Sequence, residues 1–390
     1  MTNNSIKTNK IPSLRFSEFN DEWKIVKLED ISKSIQSGKD KFSNSGQYKL
    51  YGSTGKIGFL KNASFKGTYI LIARVGANAG KLSVVSGSFG VTDNTLVLNL
   101  KNEINKLFIY YYLLQFNLNK LVFGSGQPLI TGGQLKSLNI TIATTKEQKK
   151  IASFLTSVDN KIEQLTKKKK LLKEYKKGVI QKIFNQEMKF KDDNGGKYPK
   201  WEEKKLGSIF KRVTRKNIEN NQNVLTISAK QGLINQKEYF NKSVAAKNVT
   251  GYYLLNKNEF AYNKSYSKGY PMGAIKLMNK YKKGVVSTLY ICFKLDDEKS
   301  SASFFEQYFE SGQLNHEIYK IAQEGARNHG LLNMSVVDFF ETIKVKVSSL
   351  DEQKKIASFL SEVDSKITRT NGLLDQATKF KKGLLQQMFV

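Results

Sequence analysis

Apolar residues recur at heptad spacing in two long stretches of this chain. The first stretch has Ile151, Val158, Leu165, Leu172 and Val179, with a second series of Leu155, Ile162, Lys169, Lys176 and Ile183. The second stretch has Ile356, Val363, Thr370, Ala377 and Leu384, with Leu360, Ile367, Leu374, Lys381 and Met388. This spacing is typical of helices that pair along an apolar seam. The pattern predicts two helices of about 40 residues, each about 60 Å long.

Neither predicted helix can bury its apolar seam alone. Because the two seams are complementary, we expect the helices to pack on each other as an antiparallel coiled coil, with a pseudo-twofold relation between the repeats. The alternative is that each helix folds back on its own globular domain. The residues predicted to pair the helices are Ile151, Leu155, Val158, Ile162, Ile356, Leu360, Val363 and Ile367.

The segments that precede the two helices contain short apolar runs bounded by Gly, Asn and Ser. The clearest runs are Tyr69–Ala73, Thr95–Leu98, Val224–Ile227 and Leu289–Phe293. Runs of this length and punctuation predict strands joined by loops. Each segment also ends in a predicted helix, at Ile104–Leu121 and at Ala302–Ala322. The sequence therefore predicts an α+β fold with two globular domains.

An internal repeat relates the two halves of the chain. The sequence Glu-Gln-Lys-Lys-Ile-Ala-Ser-Phe-Leu occurs at 147–155 and again at 352–360, a separation of 205 residues. Further upstream, Trp23 and Leu28 correspond to Trp201 and Leu206. A duplication of this size indicates two similar units with two similar tasks. We expect globular domains at 1–143 and 189–348, the latter beginning with a polar linker at 189–200, and helical regions at 144–188 and 349–390.

The charge of the chain indicates a polyanionic partner. The sequence contains 64 Lys and Arg against 34 Asp and Glu, a formal net charge of +30. Such an excess attracts nucleic acid or an anionic membrane surface. Because no apolar run approaches the roughly 18 residues of a membrane-spanning helix, nucleic acid is the leading candidate. A polar N-terminal sequence and a single cysteine, Cys292, predict a cytoplasmic protein.

Catalytic and metal-binding motifs are not recognisable in the sequence. The two histidines, His316 and His329, and one cysteine form no cluster with metal-ligand spacing. The segment Gly52–Lys56 lacks the first Gly and the Ser or Thr of a phosphate-binding loop. The acidic segment 296–298 is typical of a solvated turn. We therefore expect a binding protein that is not an enzyme, with no metal and no cofactor of its own.

The repeated elements resemble those of a known family. Two variable domains, each beginning near Trp-x4-Leu and each followed by the same Glu-Gln-Lys-Lys-Ile-Ala-Ser-Phe-Leu helix, are similar to the specificity subunit of type I restriction-modification enzymes. The segments Ile70–Gly80 and Val91–Thr95 also resemble the target-recognition domains of that family. The resemblance covers essentially the whole chain.

This resemblance implies a function and a set of partners. Target-recognition domains 1 and 2 would each bind one half of a bipartite, asymmetric DNA site, and the helices would set the gap. Two methyltransferase subunits would dock on the helical regions, and two restriction/translocase subunits would complete the complex. S-adenosylmethionine, ATP and magnesium would belong to these partners. A stand-alone bivalent nucleic-acid-binding regulator is the alternative function, and a nuclease or methyltransferase acting alone is a weaker one.

Candidate DNA contacts are the Lys, Arg, Asn, Gln and Tyr side chains concentrated in loops of the two variable domains. Cationic groups suit phosphates, and amide or guanidinium groups suit base edges. In the first domain they are Lys39, Lys41, Tyr51, Lys56, Arg74, Asn78, Lys81 and Gln127. In the second domain they are Lys230, Gln231, Asn263, Lys264, Tyr266, Lys268, Tyr270, Arg327 and Asn328. Packing within the domain is the alternative role for Tyr266 and Tyr270.

Overall fold

A computed structural model gives the fold of the chain. It describes residues 11–43, 45–124, 126, 128–229, 231–241, 246, 248–296, 298–322 and 332–390. The chain forms two compact units. Unit 1 contains residues up to Lys168 together with Thr370–Val390, and unit 2 contains Lys169–Arg369.

In the described residues before the first long helix, the chain forms eight strands and two short helices. The strands are β1 (Lys24–Lys27), β2 (Ser32–Ser37), β3 (Tyr48–Gly52), β4 (Gly55–Leu60), β5 (Phe65–Ala73), β6 (Leu82–Val91), β7 (Thr95–Leu100) and β8 (Asn139–Ile142). The helices are α1 (Lys106–Phe116), α2 (Gly132–Lys136) and the long helix α3 (Thr145–Phe184). Short 3-10 helices lie at Glu29–Ile31, Gly76–Asn78 and Leu118–Leu121.

Between the two long helices, the part of the chain that the structure describes forms ten strands and four short helices. The strands are β9 (Glu202–Lys205), β10 (Phe210–Arg212), β11 (Leu225–Ser228), β12 (Gly232–Asn235), β13 (Tyr253–Asn256), β14 (Phe260–Asn263), β15 (Ala274–Leu277), β16 (Lys283–Val286), β17 (Ile291–Leu295) and β18 (Lys344–Val347). The helices are α4 (Gln236–Phe240), α5 (Ala302–Glu310), α6 (Asn315–Ile321), α7 (Val336–Glu341) and the long helix α8 (Leu350–Met388), with a 3-10 helix at Leu206–Ser208.

Unit 1 is built on a six-stranded sheet with strand order β2-β7-β5-β6-β3-β4. The pairs are antiparallel except for β3 and β6, which are parallel. Gly67 in β5 and Gly87 in β6 lie opposite each other, and their φ angles are 127° and 102°. Because only glycine adopts this backbone region without strain, both strands can bend at the same level. A small apolar cluster of Leu71, Val85, Phe89, Val91 and Val97 includes residues on both sides of this glycine pair.

Unit 2 has a different sheet. Its four-stranded antiparallel sheet has the order β10-β17-β14-β15, and β11 pairs with β12 and β13 with β16. Aromatic side chains from this sheet and from α5 pack together in its core, among them Phe210, Phe260, Phe293, Phe305 and Phe309. Edge-to-face ring pairs of this kind add about 0.5–1.5 kcal/mol each beyond their burial. The two units therefore share an α+β class but have different cores.

Most of the predicted elements are confirmed. The runs Tyr69–Ala73 and Thr95–Leu98 lie in β5 and β7, and each heptad stretch forms one continuous helix. Three predictions were wrong in detail. The predicted helix Ile104–Leu121 is α-helical only over α1, because Asn117 has a φ of 61° that ends it before a separate 3-10 helix. Leu289 is exposed in a turn before β17, which begins at Ile291. The predicted helix Ala302–Ala322 is divided into α5 and α6, because Gly312 between them has a φ of 81° that ends the first helix.

The core of each unit includes residues from both long helices. In unit 1, Ile151 and Leu155 of α3 share a cluster with Leu384 and Met388 of α8. In unit 2, Ile356 and Leu360 of α8 share a cluster with residues 179–184 of α3. Each helix start thus packs on its own globular domain and also on the other long helix. Among the described residues, no helix is both long and apolar enough to cross a membrane.

Candidate nucleic-acid interface and repeated helix contacts

Loops from several strands converge in unit 1 and bring together three of the first-domain candidates, Lys39, Lys41 and Lys81. The loop after β2, the β3–β4 turn and the β6–β7 loop line a cavity of about 510 Å³ that includes Lys39, Lys41, Ser53, Asp93 and Asn94. The β3–β4 turn also lies beside Lys81 in a smaller cavity. The sequence placed these lysines in separate loops, and the structure brings the loops to one surface.

The loop that carries Lys39 and Lys41 is held by the residue between them. The Asp40 carboxylate accepts a hydrogen bond from the backbone N–H of Val91 at 2.7 Å and another from the Ser64 hydroxyl at 2.5 Å. The backbone N–H of Asp40 donates to the carbonyl of Val91 at 3.0 Å. These contacts fix the loop while both lysine side chains extend into solvent. The arrangement presents two cations from a pre-ordered backbone.

Arg74 has a partly structural role. Its backbone N–H donates to Asn94 at 2.9 Å, and its carbonyl accepts from Ile130 at 2.9 Å. Its Nη1 lies 3.4 Å from the carbonyl oxygen of Asp93, and its Nε is buried without an acceptor. Asn78 accepts a hydrogen bond from the backbone N–H of Lys81 through its own carbonyl at 2.9 Å. The Arg74–Lys81 loop is therefore tied to the surface formed by the neighbouring loops.

Two other first-domain candidates have packing partners. The Tyr51 ring meets Phe89 edge to face, with centroids 5.8 Å apart. The Lys56 ammonium lies 3.9 Å from the centroid of the Phe59 ring. Gln127 lies outside the described residues. Tyr51 thus has the packing role of a core residue, whereas Lys56 remains exposed.

The described second-domain candidates fall in two groups. Asn263, Lys264, Tyr266 and Lys268 lie at the end of β14 and in the loop that follows it, whereas Gln231 and Tyr270 line a cavity. Ser265 donates its backbone N–H to the Asn263 side chain at 3.1 Å, and the Lys264 carbonyl accepts from Leu332 at 3.1 Å. Tyr266 and Lys268 are exposed on the same loop. Three other candidates, Lys230, Arg327 and Asn328, lie outside the described residues, as does His329.

Tyr270 belongs to a buried ionic cluster that the sequence did not reveal. Its hydroxyl donates to Glu310 at 2.7 Å, and the Lys276 ammonium lies over its ring and pairs with Glu310. Burial raises the pKa of the Tyr270 hydroxyl, and Glu310 adds to the effect. Gln231 and Tyr270 line one cavity of about 250 Å³ together with Glu306. Tyr270 thus has the packing role foreseen as its alternative.

Glu306 lies in the same cluster, and its pKa is raised as well. Burial raises its pKa to about 7, and the neighbouring carboxylates Glu310 and Asp364 act in the same direction. One of its oxygens accepts a hydrogen bond from the Asn279 side chain at 2.9 Å. No periodicity marks this residue in the sequence, because its environment comes from β15, α5 and the long helices.

The first residue of each repeated nonapeptide joins a long helix to its own globular domain. The Trp23 indole N–H donates to Glu147 at 3.1 Å, and Trp201 donates to Glu352 at 2.9 Å. Arg15 also binds both oxygens of Glu147, at 2.7 and 2.8 Å. The Trp that opens each half of the sequence therefore contacts the Glu that opens each helix repeat.

The second residue of the nonapeptide makes an equally similar contact in both units. Gln148 accepts from the backbone N–H of Asn105 at 2.9 Å, and Gln353 accepts from that of Ser301 at 2.8 Å. Asn105 and Ser301 are the residues that cap α1 and α5. Each glutamine thus satisfies an N–H at the start of a domain helix. The buried part of the repeat has a structural explanation.

An ion pair between the long helices also occurs in each unit. Asp159 pairs with Lys381 at 2.6 Å and accepts a hydrogen bond from Tyr111 at 2.8 Å. Asp364 pairs with Lys176 at 2.7 Å and accepts one from Gln307 at 3.2 Å. Each member of one pair lies 205 positions from its counterpart in the other, the same separation as the nonapeptides. Lys176 and Lys381, which interrupt the apolar heptad series, therefore form ion pairs with the other long helix.

The seam residues predicted for pairing and docking are mostly inaccessible. Ile151, Leu155, Ile356, Leu360 and Val363 are buried. Val158, Ile162 and Ile367 are partly buried. A partner that reaches the nonapeptides would meet the exposed positions between them, such as Lys149 and Ser153 or Lys354 and Ser358. The docking role of the seam stays a prediction.

Known proteins share this sequence pattern. The curated type I restriction enzyme EcoprrI specificity subunit of Escherichia coli is 29% identical over 119 residues, 30% of this chain and 30% of that protein. The MjaVIII specificity subunit of Methanocaldococcus jannaschii is 27% identical over 211 residues, 48% of this chain and 49% of that protein. The chain thus spans about a third to a half of the length of these relatives in the alignments.

A solved structure and a family model also match this chain. The crystal structure of the type I restriction-modification S subunit from M. genitalium has a TM-score of 0.64 at 18% identity, covering 97% of this chain and 99% of that one, which is a likeness of fold. The family model described as the type I restriction modification DNA specificity domain matches residues 20–174 and 194–379. The chain therefore belongs to the family of type I restriction-modification DNA specificity domains, which are the non-catalytic specificity subunits of these systems.

Proposed function

We propose that this chain is the DNA sequence-recognition subunit of a type I restriction-modification complex, and that each globular domain binds one half of a bipartite, asymmetric site. The observation that carries the proposal is that two different sheets are joined to two alike helices by the same Trp-to-Glu hydrogen bond. Different sheets suit different base sequences, whereas alike helices suit a shared task. A palindromic site would require two alike domains.

Charge supports DNA as the ligand. The net charge of +30 gives long-range attraction to a phosphate backbone. Lys39, Lys41 and Lys81 project from loops that meet at one surface of unit 1. In unit 2, Tyr266 and Lys268 are exposed on the loop between β14 and β15. Binding should weaken steeply as salt rises, because each phosphate contact releases counterions.

The long helices are proposed to set the gap between the half-sites as an antiparallel coiled coil within a pseudo-twofold repeat. The equivalent ion pairs Asp159–Lys381 and Lys176–Asp364 support this, since each would fix the register of one helix against the other. Identical residues in an ion pair at equivalent repeat positions are expected when both repeats use the same helix pairing.

The helical regions are also proposed to dock two methyltransferase subunits, with two restriction/translocase subunits in the full complex. S-adenosylmethionine, ATP and magnesium would be bound by those partners, and the assembly would be cytoplasmic. The exposed repeated residues of the nonapeptides support docking, because a fold requirement does not explain identity at Lys149 and Lys354 or at Ser153 and Ser358.

The test is to express the chain with its candidate methyltransferase in a host without type I systems and to sequence methylated adenines across the genome. We expect methylation at a split, asymmetric motif that is lost when either globular domain is exchanged for that of another specificity subunit. Binding without any co-purified methyltransferase, and with no methylation, would instead support the stand-alone regulator.

A further inference from the structure

We propose that Phe42 and Ile57, two exposed apolar side chains on the loop surface of unit 1, contact DNA bases and supply part of the specificity for one half-site. This inference rests on the proposed function and adds residues that the sequence analysis did not identify. Phe42 is 60% exposed and Ile57 is 37% exposed, and both line the cavity of about 510 Å³.

Exposure of these side chains is not explained by the fold. Phe42 follows the anchored segment 39–41, and Ile57 lies on β4, which is an edge strand of the six-stranded sheet. Sheet edges normally carry charged or polar groups, because exposed apolar edges promote aggregation. Large apolar groups that stay exposed in such a place indicate a binding surface.

The Phe42 ring is supported on one side. A Cβ atom added to Gly58 would lie 2.9 Å from Cε2 of the ring, so the ring rests against the bare backbone of β4. The loop itself is fixed through the contacts of Asp40 with Val91. A ring that is held in place while it remains exposed loses little conformational entropy when it binds a ligand.

The surroundings identify DNA as the occupant. Lys39 and Lys41 precede Phe42 in the same loop and line the same cavity, and within the described part of the chain their ammonium groups make no ion pair or hydrogen bond. Lys56 precedes Ile57 and lies over the Phe59 ring at 3.9 Å. Lysines beside exposed apolar side chains are complementary to a groove bordered by phosphates. Two carboxylates also line the cavity, and one of them, Asp40, is held by the backbone N–H of Val91.

Groups suited to base edges lie in the same cavity. Ser53, Thr54 and Asn94 offer hydroxyl and amide groups beside Phe42 and Ile57. In DNA grooves, apolar side chains contact the thymine methyl group or insert at a base step, while amides and hydroxyls bind base edges. The cavity therefore combines phosphate, base-edge and apolar contacts at one place, as direct recognition of a short half-site requires.

The test is selection of binding sites from a pool of randomised DNA duplexes with the full chain and its variants. Wild type should select two specified half-sites separated by an unspecified gap. Phe42→Ala should lower base preference about tenfold at one or two adjacent positions of one half-site, because a single direct contact discriminates by about that factor. The other half-site should be unchanged.

Controls separate apolar contact from charge and from folding. Lys39→Gln should keep the selected motif but reduce the salt dependence by about one ion, as expected for a phosphate contact. Ile25→Ala removes an apolar side chain that is 48% exposed on β1, outside this cavity, and should change nothing. If Phe42→Ala lowers the melting temperature, Phe42→Leu and Ile57→Thr replace it in the selection experiment.

Two outcomes overturn the inference in distinguishable ways. If Phe42→Ala and Ile57→Thr select the same bases with the preference of wild type, or weaken every sequence equally, these side chains do not read bases. If wild type itself selects no split motif, the proposed function fails, and this inference fails with it.

Discussion

The indole N–H of Trp23 donates a hydrogen bond to the carboxylate of Glu147 at 3.1 Å, across 124 residues of sequence. Trp201 and Glu352 repeat this relationship at 2.9 Å. Each Trp also packs against an equivalent Phe ring. The ring centroids of Trp23 and Phe108 are 5.5 Å apart, and those of Trp201 and Phe304 are 5.8 Å apart. The repeated helix start is therefore first a joint between helix and domain.

The two joints should differ in their response to removal of charge. Glu147→Gln leaves the nearly buried Arg15 guanidinium without its anion, which costs about 3 kcal/mol for a buried pair. Glu352 forms no ion pair among the described residues, and burial raises its pKa against the opposing effects of the Trp201 hydrogen bond and the Lys189 charge, so ionisation of this carboxyl is already disfavoured. Glu352→Gln keeps an oxygen for Trp201 and should cost less than about 1 kcal/mol.

Differential scanning calorimetry of the full chain checks this asymmetry. Glu147→Gln should lower one melting transition by roughly 6–10 °C, and Glu352→Gln by no more than about 3 °C. The double substitution Arg15→Gln with Glu147→Gln should recover part of the loss. Equal shifts for the two single variants would show that Arg15 does not stabilise the first joint.

The ion pairs between the long helices should be measurably coupled. Asp159 and Lys381 are partly buried and both contact Tyr111, Asp159 through the hydroxyl and Lys381 over the ring. A double-mutant cycle with Asp159→Asn and Lys381→Gln should therefore give about 1 kcal/mol. The exposed pair Lys170–Glu174, at 3.8 Å on one helix, is the matched control and should give at most about 0.5 kcal/mol. Similar values for both cycles would remove any special role for the helix-to-helix pair.

Local sequence patterns predicted the secondary structure and fold class, whereas the roles of several polar residues depend on tertiary contacts. The long helices and the α+β class follow from apolar spacing, which depends on neighbouring positions. Lys176 and Lys381 occupy seam positions that apolar spacing cannot explain, because their partners Asp364 and Asp159 come from the other helix. Tyr270 could be assigned to DNA or to packing from sequence, and only its contact with Glu310 favours packing.

The candidate DNA surface was predicted in part for the same reason. Lysine-rich loops are visible in the sequence, so Lys39, Lys41 and Lys81 were found. Phe42 was not found, since an aromatic residue beside a strand is expected in a core. Its ring lies against Gly58, a residue of β4 that is distant in sequence, and no local pattern reports that contact.

Ionisation of Glu306 should reduce the stability of unit 2 as pH rises. Its pKa of about 7 in the fold exceeds the usual value of 4.5, so the folded state holds a proton that the unfolded chain has released. The stabilisation is complete below about pH 4.5 and is lost as pH rises through 7. Glu306→Gln, which keeps the acceptor for Asn279, should therefore stabilise the protein at pH 8 by about 1–2 kcal/mol after allowance for solvent screening.

Urea unfolding at pH 5, 6, 7 and 8 checks the sign. The difference between Glu306→Gln and wild type should grow across this range and level off above pH 7. Glu163→Gln, at an exposed position of α3, is the control and should show no such trend. A variant that is less stable than wild type at pH 8 would contradict the assignment.

The exposed repeated positions should control partner docking. Ser153→Arg and Ser358→Arg introduce bulk and charge at equivalent exposed sites, so the double variant should lose co-purification with the methyltransferase while its melting temperature changes little. Each single variant should retain one methyltransferase copy, measured by native mass spectrometry. Gln164→Arg is the control, because its counterpart, Arg369, already carries that side chain. Loss of both copies in a single variant would argue against two equivalent docking places.

Lengthening both long helices by one heptad should change the gap and not the half-sites. Seven residues inserted after Thr166 in α3 and after Asn371 in α8, positions that are equivalent in the repeat, preserve the heptad phase. They add about 10.5 Å, since the rise is about 1.5 Å per residue, which corresponds to about three base pairs at 3.4 Å each. Genome-wide sequencing of methylated adenines should therefore show the same two half-sites with a gap about three base pairs longer. A four-residue insertion in both helices is the control, because it breaks the heptad phase and should abolish methylation. If the seven-residue variant methylates the original motif with its original gap, the helices do not set the spacing.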